Sequence, residues 1–160
     1  MTKLLSLTIL LAALALPTLA QAQPAYVDDR STPQAVIQSF YNAINRQEYA
    51  RAWSYYEDGQ GVPAFDAFTA GYQSTKSVTL TLGKPTSDGA AGSTYYSLPA
   101  SIDALSTAGK HAYFAGCYTL RLSNPQIQAA PPFVPLHITD GHLKKATGAG
   151  KSFAPAKCDP

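Results

Sequence analysis

The candidates for acid–base chemistry, if the chain is an enzyme, are Asp66, Asp103, His111 and Arg121. A carboxylate or imidazole can carry a proton, and a guanidinium can steady the charge that forms, provided the group lies within hydrogen-bond reach of a substrate. His137, Asp140 and His142 are of metal-ligating type, but they straddle an expected strand bend and no fourth ligand accompanies them, so no metal is expected. Gly148-Ala149-Gly150-Lys151-Ser152 ends like a phosphate-binding loop. Lys145 stands where that loop needs its first glycine, and Pro155 follows where a helix should run, so no nucleotide or other cofactor is expected.

The chain has two cysteines, Cys117 and Cys158. In an oxidising compartment the one intramolecular pairing open to them is a disulfide, which would leave no thiol nucleophile. Closing a loop of about 40 residues contributes roughly 3–4 kcal/mol in the chain-entropy picture. An aromatic set (Tyr41, Trp53, Tyr56, Phe65, Phe68, Tyr72, Tyr96, Phe114 and Tyr118) has two readings: core filling, or the lining of a small apolar pocket with tyrosine hydroxyls as its polar contacts. All of these except Phe65 are the candidate ligand-binding residues, and ten tyrosines in 160 residues suit a pocket with a wet rim.

Lys3, the apolar run Leu4 to Leu16, Pro17 and the small residues ending at Ala20-Gln21-Ala22 have the three parts of a cleavable export signal over residues 1–22. The apolar run falls short of the roughly 20 residues that span a bilayer. No cysteine follows it to carry a lipid, so no membrane anchor is expected and the mature chain should work in the periplasm or be secreted. The formal charge of +2 falls toward neutrality once Lys3 is removed, which gives no electrostatic case for a nucleic-acid partner.

Residues 23–31 have no periodicity and are expected to form a loose lead into a domain over residues 32–144. Thr32 as N-cap with Pro33 in the first turn, or Ser31 and Gln34 as a capping box, starts a helix bearing Val36, Ile37, Phe40, Tyr41 and Ile44. Tyr49, Ala52, Trp53 and Tyr56 have the spacing of a second helix reaching toward Asp58-Gly59. Phe65, Phe68 and Tyr72 define a third that begins near Pro63.

The period then changes to two. Val78, Leu80 and Leu82 mark one strand, and a loop through Ser87-Asp88-Gly89 leads to a second with Tyr96, Leu98, Ala100, Ile102 and Ala104 on one face. A hairpin at Thr107 to Lys110 leads into a third strand, His111 to Ser123, with Phe114, Tyr118 and Leu120 inward. A last strand runs from Phe133 to Lys144 with Val134, Leu136 and Ile138 inward. On this parity Asp103, His111, Arg121 and His137 face outward, unless a bulge at Pro99 or Gly116 reverses it. Residues 145–160 are a tail without core pattern, tied at Cys158 and drawn across the outer face if Cys117 lies there. Helices first and an antiparallel sheet after predict an α+β fold with the helices on one side of the sheet.

Thr32-Pro33, Val36, Phe40-Tyr41-Asn42-Ala43-Ile44-Asn45, Tyr49-Ala50-Arg51-Ala52-Trp53-Ser54-Tyr55-Tyr56, Phe68 and Gly71-Tyr72 resemble the helical opening of NTF2-like domains of exported bacterial proteins. The resemblance extends more weakly to about Leu143. It implies a cone in which a curved sheet wraps a long helix and leaves a pocket at the open end. Members include isomerases, dehydratases and hydrolases of the SnoaL-like type, non-catalytic binders, and partner-binding modules, so fold alone does not choose among them. Because no ionisable group falls on the inferred inward faces, the expectation is a non-enzymatic binder of a small apolar molecule or of an exported protein. The resemblance also implies a homodimer paired through the sheets, which a tail lying over that face would block.

Overall fold

The computed structural model describes residues 22–57, 61–146 and 158. The expected export signal, except for residue 22, the phosphate-loop-like run and the rest of the tail lie outside them. The fold is α+β: three helices pack against a five-stranded antiparallel open sheet, a cone-like arrangement. No helix among the described residues is long and apolar enough to cross a membrane.

Helix α1 (Pro33–Asn45) starts where the Thr32 side chain accepts a hydrogen bond from the Ala35 amide at 3.1 Å, with Pro33 in the first turn. Val36, Ile37 and Phe40 on its inner stripe are fully buried, each contributing about 1.5–3 kcal/mol relative to exposure. Asn45 at its end lies beside β1 (Thr75–Leu82). Its side-chain oxygen accepts from the Val78 amide at 2.6 Å, and its side-chain NH₂ donates to the Val78 carbonyl at 2.9 Å.

Helix α2 (Tyr49–Trp53) is shorter than the spacing predicts. The Tyr55 carbonyl accepts from the Ile138 amide at 2.7 Å and the Glu57 amide donates to the Ile138 carbonyl at 3.2 Å, so the chain leaves the helix to bridge the sheet. Tyr55, off the expected helical face, is consequently fully buried. Helix α3 (Phe65–Tyr72) follows and buries Phe68.

The sheet order is β1, β3 (Ser93–Ser106), β4 (His111–Ser123), β5 (His137–Lys145), with β2 (Thr86–Ala90) pairing the first part of β3. The expected loop at Ser87-Asp88-Gly89 is thus a strand. Pro99 sits where β1 gives way to β2, and its carbonyl accepts from the Gly83 amide at 2.8 Å. Because a residue's N–H and C=O point the same way in an antiparallel strand, the proline's missing donor faces that break. The β3–β4 register therefore runs without a shift from Ser93↔Ser123 to Leu105↔His111, and the expected parity holds through Pro99 and Gly116.

A register shift falls instead between β4 and β5, where Thr119 pairs Asp140 and Leu120 pairs Ile138, leaving Thr139 as the extra residue. The last strand also starts later than expected. Phe133 and Val134 are exposed rather than inward, and only Leu136 and Ile138 of that set are buried.

Residues 24–30, expected to be loose, are held on the helices by side chains. Asn42 receives the Val27 amide at 3.1 Å, Ser39 receives the Asp29 amide at 2.8 Å, and Arg51 donates to the Val27 carbonyl at 2.7 Å. Arg46 donates to the Pro24 carbonyl, and the Tyr26 ring lies 4.5 Å from the Arg51 guanidinium carbon. The sequence carries no period there because sparse polar contacts, not a buried stripe, place the segment.

Candidate functional site

A cavity of about 710 Å³ opens between α3 and the inner face of the sheet. Buried Tyr41, Phe68, Val78 and Tyr118 form its inner end, and Ile102, Phe114 and Leu143 extend the apolar wall. Exposed Gly61, Pro63, Gly71, Ser74 and Lys110 border its mouth. The mouth is held by the Thr107 amide donating to the Ser74 carbonyl at 2.9 Å, which ties the β3–β4 turn to the start of β1.

Four tyrosines supply the cavity's phenols. The hydroxyls of Tyr41 and Tyr118 lie 2.6 Å apart, and whichever donates, the other keeps its own proton to offer. The hydroxyls of Tyr56 and Tyr72 have no hydrogen-bond partner among the described residues, and both rings line the cavity. Burial pushes the Tyr41 and Tyr118 phenols well above the ordinary tyrosine range and raises Tyr56. Burial likewise pushes Tyr72 up to about 12. All four are therefore neutral hydrogen-bond donors at physiological pH and poor bases.

Gly141 makes this geometry possible. A Cβ there would lie 2.7 Å from the Tyr118 ring, so only glycine leaves the ring its place.

Six of the eight expected ligand-contacting aromatics line the cavity: Tyr41, Tyr56, Phe68, Tyr72, Phe114 and Tyr118. Trp53 does not; its indole N–H donates to the Pro63 carbonyl at 3.3 Å and its ring meets Phe65 edge-on. Tyr96 does not either, because it lies opposite Leu120 at the other end of β3 from the cavity-lining Ile102, Ala104, Leu105 and Ser106. Lys110, Leu143 and Gly141 were not among the sequence candidates. Leu143 continues the inward alternation once the Thr139 bulge is counted, and Lys110 pairs Ser106 across the turn with inward parity.

Of the acid–base candidates, Asp103 and His111 come together, whereas Asp66 and Arg121 lie apart from them. Asp66 is exposed in the first turn of α3. Asp103 and His111 pair on the outer side of the turn, with Nδ1 2.7 Å from the carboxylate, and the imidazole stacks beside Tyr113; His111 also borders the cavity mouth. Arg121 lies on the outer face, donating to Glu57 and to the Ser93 hydroxyl, each at 3.0 Å.

Of the metal-type residues, Asp140 and His142 pair with each other at 2.9 Å while His137 is buried elsewhere. Its Nδ1 lies 2.8 Å from the Pro135 carbonyl. Its Nε2 is 3.2 Å from Glu57 but too oblique for a hydrogen bond. No three His, Cys, Asp or Glu among the described residues converge as a metal site. Cys117 and Cys158 are joined on the outer face, their Cα atoms 5.8 Å apart.

No known protein-family model matches the chain, and no curated protein is significantly similar to it.

Proposed function

We propose that the chain is an exported, non-enzymatic binding protein of the NTF2-like kind, and that its pocket takes a small apolar molecule bearing a hydrogen-bond acceptor. The observation that carries this reading is the cavity of about 710 Å³ in which the unpartnered Tyr56 and Tyr72 hydroxyls meet an apolar wall. That volume lies within the roughly 300–1,000 Å³ of small-molecule sites, and a few placed polar groups in an apolar surround are their usual composition. The disulfide, together with the lack of a membrane-length helix among the described residues, is compatible with work outside the cytoplasm.

A SnoaL-like isomerase, dehydratase or hydrolase would need a titratable group at the reacting atoms. No aspartate or glutamate among the described residues lines the cavity, and the imidazole that does, His111, sits at the mouth paired with Asp103 and away from the inner phenols, which weighs against that reading. A second reading, docking of an exported protein, is favoured by the exposed Ile127, Phe133 and Val134 between β4 and β5.

Native mass spectrometry of protein purified from its export compartment tests the first reading. A copurified mass lost on denaturation, and absent from Ile102→Trp, supports it. A clean mass in the wild type, with no uptake of added apolar probes, turns attention to Phe133→Ser in a pull-down for a partner.

A further inference from the structure

Among the described residues lining the cavity, charge comes from the mouth alone, at Lys110 and at the rim residue His111. His111 is engaged by Asp103 at 2.7 Å. No ion pair involves Lys110 among the described residues.

Its backbone is fixed on both sides. The Lys110 carbonyl accepts from the Ser106 amide at 2.9 Å, and its amide donates to the Ser106 hydroxyl at 3.0 Å. Gly109, with φ +75°, turns the chain between them. The turn thus presents Lys110 to the cavity, whose lining at that end also includes Ser74 and Thr75.

A flexible cation at the opening of an apolar chamber without carboxylates suits a ligand of two parts. A charged group placed inside would lose its hydration against neutral phenols, whereas at the mouth it keeps water and gains the lysine. We infer that the ligand is a single-chain amphiphile whose largely apolar tail, carrying the acceptor that the cavity phenols call for, fills the tyrosine-lined cavity and whose anionic head, a carboxylate or a phosphate, is held at the mouth by Lys110. This rests on the binding reading above.

Titration calorimetry on the full mature protein with dodecanoate, dodecyl phosphate and neutral methyl dodecanoate, each below its micelle-forming concentration, tests it. The expected result is that at least one anion binds about fivefold or more tightly than the ester. That preference should vanish in Lys110→Met, persist in Lys110→Arg and shrink with added salt. The tighter of the two anions identifies the head group. Equal binding of anions and ester, or an anion preference untouched by Lys110→Met, overturns the head-group assignment and leaves the apolar pocket standing. Failure of all three probes to bind overturns the amphiphile, and the pocket reading then stands or falls on the native mass measurement.

Discussion

The hydroxyls of Tyr41 and Tyr118 meet at 2.6 Å across 77 residues of sequence, pinning α1 to β4 at the inner end of the cavity. Both rings are almost wholly buried, so neither hydroxyl can turn to bulk water when its partner is removed. Tyr118→Phe and Tyr41→Phe are each expected to cost about 1–3 kcal/mol, the penalty of orphaning a buried polar group. The double variant should lose less than the sum of the two. Urea unfolding of the four proteins measures the coupling, and strict additivity would refute the pairing.

Alkaline pH should unfold the protein. The cavity phenols titrate higher in the folded state than the value of about 10 of an unfolded tyrosine. Below pH 10 both states are protonated and their full contribution is present. Above it the unfolded chain releases its protons first, and the contribution is gone once pH passes the folded value, about 12 for Tyr72. Tyrosinate absorbance from these residues should rise together with loss of circular dichroism, and Tyr72→Phe should shift that transition to higher pH. Ionisation of every tyrosine near pH 10 with the fold intact would contradict this.

Gly141→Ala places a methyl group against the Tyr118 ring, and a shift of that ring would disturb the Tyr41 contact. The expected cost is about 1–3 kcal/mol, with weakened uptake of cavity probes. Gly71, at the mouth, has no neighbour within 4 Å of an added Cβ. Gly71→Ala is therefore the comparison that should leave both properties nearly unchanged.

The Cys117–Cys158 bridge closes a separation of 41 residues. Its removal in the Cys117→Ser/Cys158→Ser double variant should cost roughly 3–4 kcal/mol. The intact mass under non-reducing conditions should fall two hydrogens below that of the reduced chain. Equal thermal stability with and without reductant would argue against a structural role.

Arg51 holds the lead by donating to the Val27 carbonyl at 2.7 Å and to the Asn42 side chain at 2.9 Å, while its other edge meets Glu48 at 2.6 Å. Arg51→Met should release residues 24–30 before it unfolds the domain, at a global cost of about 1 kcal/mol. Chymotryptic cleavage after Tyr26 is the measurement. Unchanged cleavage would show that Ser39 and Asn42 suffice.

The parts of the fold that local spacing controls were legible in the sequence. Thr32 and Pro33 announce α1, and unbroken alternation from Ser93 to Ser123 announces β3 and β4 because no bulge interrupts their register. Long-range effects were not legible. Ser87-Asp88-Gly89 has turn composition, yet β3 extends far enough to pair it. Tyr55 is buried because α2 stops at Trp53 to reach Ile138, a residue more than 80 positions away. The cavity's aromatics carried a helical or alternating signal, whereas Lys110 and Gly141 matter only through what the hairpin and the bulge place beside them.

Asn45 and the Tyr55–Glu57 segment also close the flanks of the sheet. Midway along β1 an asparagine amide occupies the outward N–H and C=O of Val78, and beside β5 a stretch of main chain occupies those of Ile138. An exposed strand flank is a template onto which another chain can add, the first step toward aggregation. Here β1 is occupied at its centre and β5 near its start, and β2, the remaining flank, is short and carries Asp88 and Gly89. Each occupied stretch is one onto which another chain cannot add, so the fold carries some built-in resistance to edge-to-edge polymerisation.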